Sequence, residues 1–314
     1  MGRIKNINDN LKISFVLVSD THIDEMHPFP LFPKLMLYSA LKDCKKSISR
    51  QSAFVIDGDI TSRGSDNNWK MAVSVFKIVN KPADFILPAI GNHDGWSDEG
   101  SEKAIERYLK NRKLISDIKS DKTYFSREIN GYRFIVLGSE NDNGCCACIS
   151  DEQINWLKAE LESASTSKKP IFVFCHQSLN CKHGLPLTFD RNPNPNADDF
   201  EGGIGEKSDE IENLLLKYDN VFYFSGHSHM GFMGCKSEEQ GIGYSSFETY
   251  GNLTAVNLPS LSCGNHHGVL NDTGMGVVVE VYEDAVYIRP RSFKKRKWIK
   301  LNILNSKNYF KKEL

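Results

Sequence analysis

Phe85-Ile86-Leu87-Pro88-Ala89-Ile90-Gly91-Asn92-His93-Asp94 carries the logic of the whole chain. Six apolar residues with little alternation suit a strand buried on both faces. They stop at a glycine, and an amide, an imidazole and a carboxylate follow. The same order recurs four more times. Residues 13–18 lead to Asp20-Thr21-His22, and 53–56 lead to Gly58-Asp59. Residues 171–175 lead to His176, and 221–224 lead to Gly226-His227-Ser228-His229. A sixth apolar run, 132–137, has no such cluster behind it.

Helical spacing fills the gaps between these runs. Residues 31–49 place Leu35, Tyr38, Leu41 and Ile48 on one prospective face, and 69–79 carry Met71, Val75 and Val79. Residues 150–161 start with a capping box, Ser150 to Gln153, and carry Ile154, Trp156, Leu157 and Leu161. Alternating strand and helix predicts an α/β fold. Residues 274–290 read as a β-hairpin turning at Glu283-Asp284. The expected organisation is a single domain over 1–314, with a core of about 13–290 and a short extension over 291–314.

Bulk composition excludes several classes. The chain has 314 residues, 40% hydrophobic and 25% charged, as in ordinary globular proteins. A net charge of -1 gives no global attraction for nucleic acid or anionic membrane. Eight cysteines are sparse and irregular for this length, so they do not read as a disulfide framework. No signal-like or membrane-spanning run stands near the first residues, and the expected location is the cytoplasm.

Residues two apart on an extended chain project to the same side. Asp20 with His22, and His227 with His229, can therefore each grip one ion. Asp59, at a strand end, can bridge two, and Asn92 offers a neutral oxygen. In open α/β sheets such residues meet beyond the carboxyl ends of the strands. Imidazole, carboxylate and amide donors favour manganese, iron or zinc. Two such ions about 3.5–4 Å apart would clamp an in-line displacement, with a bridging water deprotonated as nucleophile. This chemistry suits phosphoryl transfer to water. Singly, each cluster also reads as an ordinary turn. Their joint order on strand ends is the signal.

These blocks resemble the calcineurin-like metallophosphoesterases, whose pattern is D-x-H, G-D, G-N-H-[DE], H and G-H-x-H. The match runs from about Phe15 to Pro290. Asp151 to Leu157 is similar to the family's Gln-x-x-Trp-Leu helix, and Asn257-Leu258-Pro259-Ser260 to a segment before its last hairpin. The resemblance implies a four-layer αββα sandwich of two mixed β-sheets flanked by helices. It implies one metal on Asp20, His22, Asp59 and His229, and another on Asp59, Asn92, His176 and His227. His93 would stabilise the transition state or protonate the leaving group. Asp94 would orient and charge His93. Arg63, in Gly58 to Gly64, is a candidate phosphate contact alongside Asn92 and His93, although a surface turn arginine is the plainer reading.

The resulting expectation is a dinuclear hydrolase of a small phosphoester. Resemblance to small bacterial members puts a phosphodiesterase slightly ahead of a phosphomonoesterase. Gln177-Ser178, where cyclic-nucleotide hydrolases often carry a second His and a Pro, weakens that substrate class. A nuclease is disfavoured because basic surface is confined to 294–297, and a protein phosphatase because that likeness stops at the metal blocks and Arg63. The alternative from another class is a non-catalytic scaffold for protein contacts. The long segments 139–149 and 177–207 are expected near the clusters, as functional lids or disordered segments. Cys145, Cys146 and Cys148 are read as reduced thiols in a loop, and His266-His267 as a loop pair.

Overall fold

The computed structural model describes residues 2–189, 198–232, 234–237, 242–265, 272–301, 304–305 and 307–314. His266-His267 and the Asn192 to Asn196 stretch lie outside the described residues.

Two mixed sheets face each other. The first has strand order β14-β13-β12-β1-β2-β3, with β15 on β13; the second has β10-β11-β7-β6-β5-β4. In the first, β1 (Ile13–Val18), β2 (Ala53–Ile56) and β3 (Phe85–Pro88) run parallel, and the hairpin β12 (Met275–Val281) and β13 (Ala285–Ser292) adds antiparallel to β1. β14 (Lys297–Trp298) and β15 (Phe310–Glu313) both pair with β13, so the extension becomes part of the sheet. In the second, β5 (Tyr132–Val136), β6 (Ile171–Phe174), β7 (Val221–Ser225) and β11 (Leu253–Asn257) run parallel. Antiparallel β4 (Phe125–Ile129) and β10 (Phe247–Tyr250) close its edges. A separate pair, β8 (Gly234–Ser237) and β9 (Ile242–Ser245), completes the strands.

Three apolar layers hold these parts together. Between the sheets, Phe15 meets Phe134, Phe172, Phe174 and Phe224 edge-on at centroid distances of 4.9 to 6.4 Å, the geometry that ring quadrupoles favour. Val16, Val18, Phe54 and Ile56 face outward onto α1 (Leu31–Lys45), α2 (Asp66–Val79) and α3 (Ser101–Ile115). Ile135, Val173 and Tyr223 face α4 (Asp151–Ser165) and α5 (Ser208–Leu215). The result is a four-layer sandwich, two mixed sheets flanked by helices, as the family resemblance implied.

Several sequence expectations needed correction in detail. Helix α1 buries Pro33, Leu37, Ala40, Leu41 and Cys44, whereas Leu35 is 54% and Ile48 58% exposed. The helix ends at Lys45, so Ile48 lies beyond it. At α4, Ser150 Oγ does accept from Gln153 N at 3.2 Å. The reciprocal half of the capping box is absent. The Gln153 side chain instead accepts from Gly138 N and donates to Gly138 O and Glu140, and Ser150 N donates to Glu140 Oε2.

Candidate metal centre

All five clusters leave the carboxyl ends of parallel strands: β1, β2 and β3 of one sheet, β6 and β7 of the other. The strand ends meet where the sheets adjoin. Asp20, His22, Asp59, His227 and His229 all have positive φ, between 46° and 66°. Non-glycine residues are uncommon there, and such strain concentrates at functional sites. Close approach also explains two glycines. A Cβ on Gly226 would collide with Ser19 Oγ and Asp20 Oδ2, and one on Gly58 with the His176 ring.

The side chains converge in two groups sharing one residue. Ligand atoms of Asp20, His22, Asp59 and His229 lie within 4.8 Å of one another, and so do those of Asp59, His176 and His227. Asp59 Oδ2 sits 3.1 Å from His176 Nε2 and 3.4 Å from His22 Nε2. Its other oxygen accepts from His93 N at 2.9 Å. The His22 and His229 Nε2 atoms stand 3.0 Å apart, and His229 Nε2 is 3.0 Å from Asp20 Oδ1. A third combination, His22 and His229 with Cys263, also falls within 4.8 Å.

Protons follow this crowding. Burial disfavours a charged His176 ring, but the Asp59 and Asp20 carboxylates outweigh it and raise the ring to about 10. Burial and neighbouring His176 push His227 down to about 3. Burial favours a neutral Asp20, yet His229 and His176 hold it well below the usual carboxylate range.

Orphaned atoms test whether metal fits. Asn92 Oδ1, His176 Nε2 and His227 Nε2 are buried without a hydrogen-bond partner. Buried polar atoms are normally satisfied, so three orphaned ones on the ligand loops fit a place for cations. His176 Nδ1 donates to Asp57 O at 2.7 Å, which fixes the ring and leaves Nε2 facing Asp59. The donor set of imidazole, carboxylate and amide fits two such ions.

His93 stands at the edge, its ring 4.8 Å from that of His22. Its Nδ1 donates to Ser62 O at 2.9 Å, and Nε2 has no hydrogen-bond partner among the described residues. The hydrogen bonds that Asp94 accepts come from other groups than His93. Asp94 lies where two ligand loops cross, and backbone donors saturate it: Ile60 N at 3.0 Å, Thr61 N at 2.8 Å and Gly91 N at 3.1 Å, with Thr61 Oγ1 at 2.8 Å. Burial and the Asp59 charge raise its carboxyl to about 6. Asp94 thus ties the 59–61 turn to the 91–94 turn, while the His93 ring contacts Ser62 O. Arg63 follows Ser62, half-buried, and its guanidinium makes no hydrogen bond or ion pair among the described residues.

The sequence reading gave no role to three supporting residues, although it singled out the segment that begins at Asn257. Asn257 Nδ2 donates to Gly226 O at 2.9 Å and its Oδ1 accepts from Ser228 Oγ at 2.9 Å, holding the His227–His229 turn. Asp57, fully buried with both carboxyl oxygens unpartnered, is pushed well up by burial. Cys263 is half-buried, and burial with the Asp20 and Asp59 charges raises its thiol to about 12. Only the chain's return from the β11 end could have revealed it. The segment after His176 reaches the site at Phe189, whose ring lies 4.9 Å from that of His227. Its neighbour segment 139–149 joins it through Ala147 N to Ile204 O at 3.1 Å.

Solved structures show the same fold. A dimetal phosphatase from Danio rerio is 14% identical, with 90% of this chain and 97% of that one covered, at a TM-score of 0.59. Purple acid phosphatase PPD1 from yellow lupin (Lupinus luteus) seeds is 12% identical at a TM-score of 0.61, with 95% of this chain but only 53% of that one covered. Curated proteins gave no match. No helix among the described residues is long and apolar enough to cross a membrane. The family model for calcineurin-like phosphoesterases matches residues 13–231, and the chain belongs to that family of phosphoester hydrolases.

Proposed function

We propose that the protein hydrolyses a small phosphoester with the help of two ions of manganese, iron or zinc. Asp20, His22, Asp59 and His229 would hold one ion; Asp59, Asn92, His176 and His227 would hold the other. One observation carries the reading: Asp59 belongs to both converging groups, and its Oδ2 lies between His22 and His176. When bound, the ions supply positive charge for the phosphoryl oxygens and an activated water.

The remaining chemistry belongs to the chain. Ser62 O holds His93 Nδ1–H, so Nε2 is the nitrogen available to protonate a leaving oxygen. Asp94 keeps the Asp59 and His93 loops in register through its backbone bonds. Phe189 roofs His227 and favours a small substrate over a polymer. A diester is placed slightly ahead of a monoester, on the resemblance to small bacterial relatives. Free thiols at Cys44, Cys145, Cys146, Cys148, Cys175, Cys181 and Cys263 suit a reducing compartment such as the cytoplasm.

The test is hydrolysis of bis-p-nitrophenyl phosphate beside p-nitrophenyl phosphate, on metal-stripped protein reloaded with Mn²⁺, Fe²⁺ or Zn²⁺. Turnover should return with metal, the diester being cleaved at least as fast. Folded protein that binds two ions and turns over neither ester would point to the scaffold reading.

A further inference from the structure

We propose that Cys263 is an additional ligand of the outer metal position, binding as a thiolate beside His22 and His229. The inference rests on the dinuclear reading above and goes beyond its seven ligands. Its first support is convergence: the Cys263 sulfur and one ring nitrogen each of His22 and His229 lie within 4.8 Å of one another. Three donors at that spacing can close on one ion, as a lone thiol cannot.

The second support is how the thiol is presented. The turn that carries Cys263 is fastened to the backbone that presents Asp20 and His22. Leu261 N donates to Ser19 O at 2.9 Å, and Ser260 Oγ donates to Asp20 O at 3.0 Å. Ser262 Oγ donates to Thr21 O, and Ser19 and Ser260 form a parallel bridge. Cys263 N in turn donates to Ser260 Oγ at 2.9 Å, and Ser260 N donates to Asn265 Oδ1 at 2.8 Å. The turn that bears the thiol and the backbone that bears His22 are thus held as one hydrogen-bonded unit, the preorganisation a ligand set needs. The same two imidazoles also converge with Asp20 and Asp59, whose ligand atoms lie within 4.8 Å of theirs, so the thiol joins a group that already gathers cation ligands. No other described cysteine joins a group of three potential ligands.

Binding exchanges one bond for another. The S–H bond breaks, the sulfur lone pair goes to the metal, and the proton leaves to solvent, with no change of oxidation state. A thiolate softens the outer position, so it should prefer zinc or cobalt over manganese, while the inner position keeps harder donors.

Cobalt reports this directly. Metal-stripped protein and its Cys263→Ser and Cys263→Ala variants are titrated with Co²⁺, ions are counted, and the near-ultraviolet thiolate-to-cobalt charge-transfer band is read. The parent should bind two ions and show the band, and the variants should lose it. Zinc affinity at one position should fall by about tenfold or more in the variants, with manganese little changed. A parent that binds two cobalt ions without the band, or a variant that keeps it, overturns the proposal and leaves the dinuclear reading intact. A parent that binds no cobalt overturns both. Should the variants fail to fold, alkylation of Cys263 in the parent, mapped by mass spectrometry, decides the matter. Zinc should slow it, and an unchanged rate overturns the proposal.

Discussion

The two halves of the metal cluster share Asp59 but differ in access. In the outer half, His229 keeps 20% of its side chain exposed, and half-buried His93 and Cys263 stand beside it. In the inner half, His176 has no exposed surface, and Phe189 roofs His227. Both halves use the same donor chemistry on the same strand ends. What differs is which loop returns over them. The β11 return brings a thiol to one, and the segment after His176 brings an apolar lid to the other.

The largest effect that would break this contrast comes from His93, the acid assigned to the outer edge. His93→Ala should retain both ions and the fold while turnover falls by about 10² or more, the usual yield of a positioned general acid. Unchanged turnover would place the proton source elsewhere. The inner half is sharpened by pH. His176 holds its proton up to about pH 10 in the metal-free chain and must lose it to bind metal. Metal uptake should then weaken on acidification, by about tenfold per pH unit for one released proton. Flat affinity between pH 7 and pH 9 would show that His176 is already neutral. The smallest effect concerns the weld between the halves. Asp94→Ala strands the Ile60, Thr61 and Gly91 amides and should destabilise the protein by roughly 1–3 kcal/mol in denaturant titration. It should also leave the pH dependence of turnover in place, because Ser62, not Asp94, holds the His93 ring. A displaced pH profile would restore Asp94 as the partner of His93.

The buried strands were legible because both faces of β1, β2, β6 and β7 are covered, which writes them as unbroken apolar runs. Helix α3 left no such trace. It buries Ala104, Tyr108, Asn111, Arg112 and Ile115 and is otherwise charged, so its apolar stripe is too thin to read. Edge strand β4, Phe-Ser-Arg-Glu-Ile, buries only its two ends. At the site, residues adjacent in sequence could be grouped, as in Asp20-x-His22. Contacts between positions distant in sequence could not: Cys263 lies beside His22, 241 positions away, and Asn257 reaches Gly226 because β11 returns beside β7. Asp94 shows the same limit. Its place beside His93 in sequence suggested a pair, but the backbone turns its carboxylate toward Thr61.

The shared residue is the centre of this account, and counting metal tests it most directly. Ions per chain are measured for the parent and for Asp59→Asn, each equilibrated with limiting zinc or manganese. The parent should hold two, and Asp59→Asn should lose affinity at both positions together, because Asp59 serves both groups. A variant that still holds two ions at full occupancy, or that loses one and keeps the other at parental affinity, would contradict the bridge.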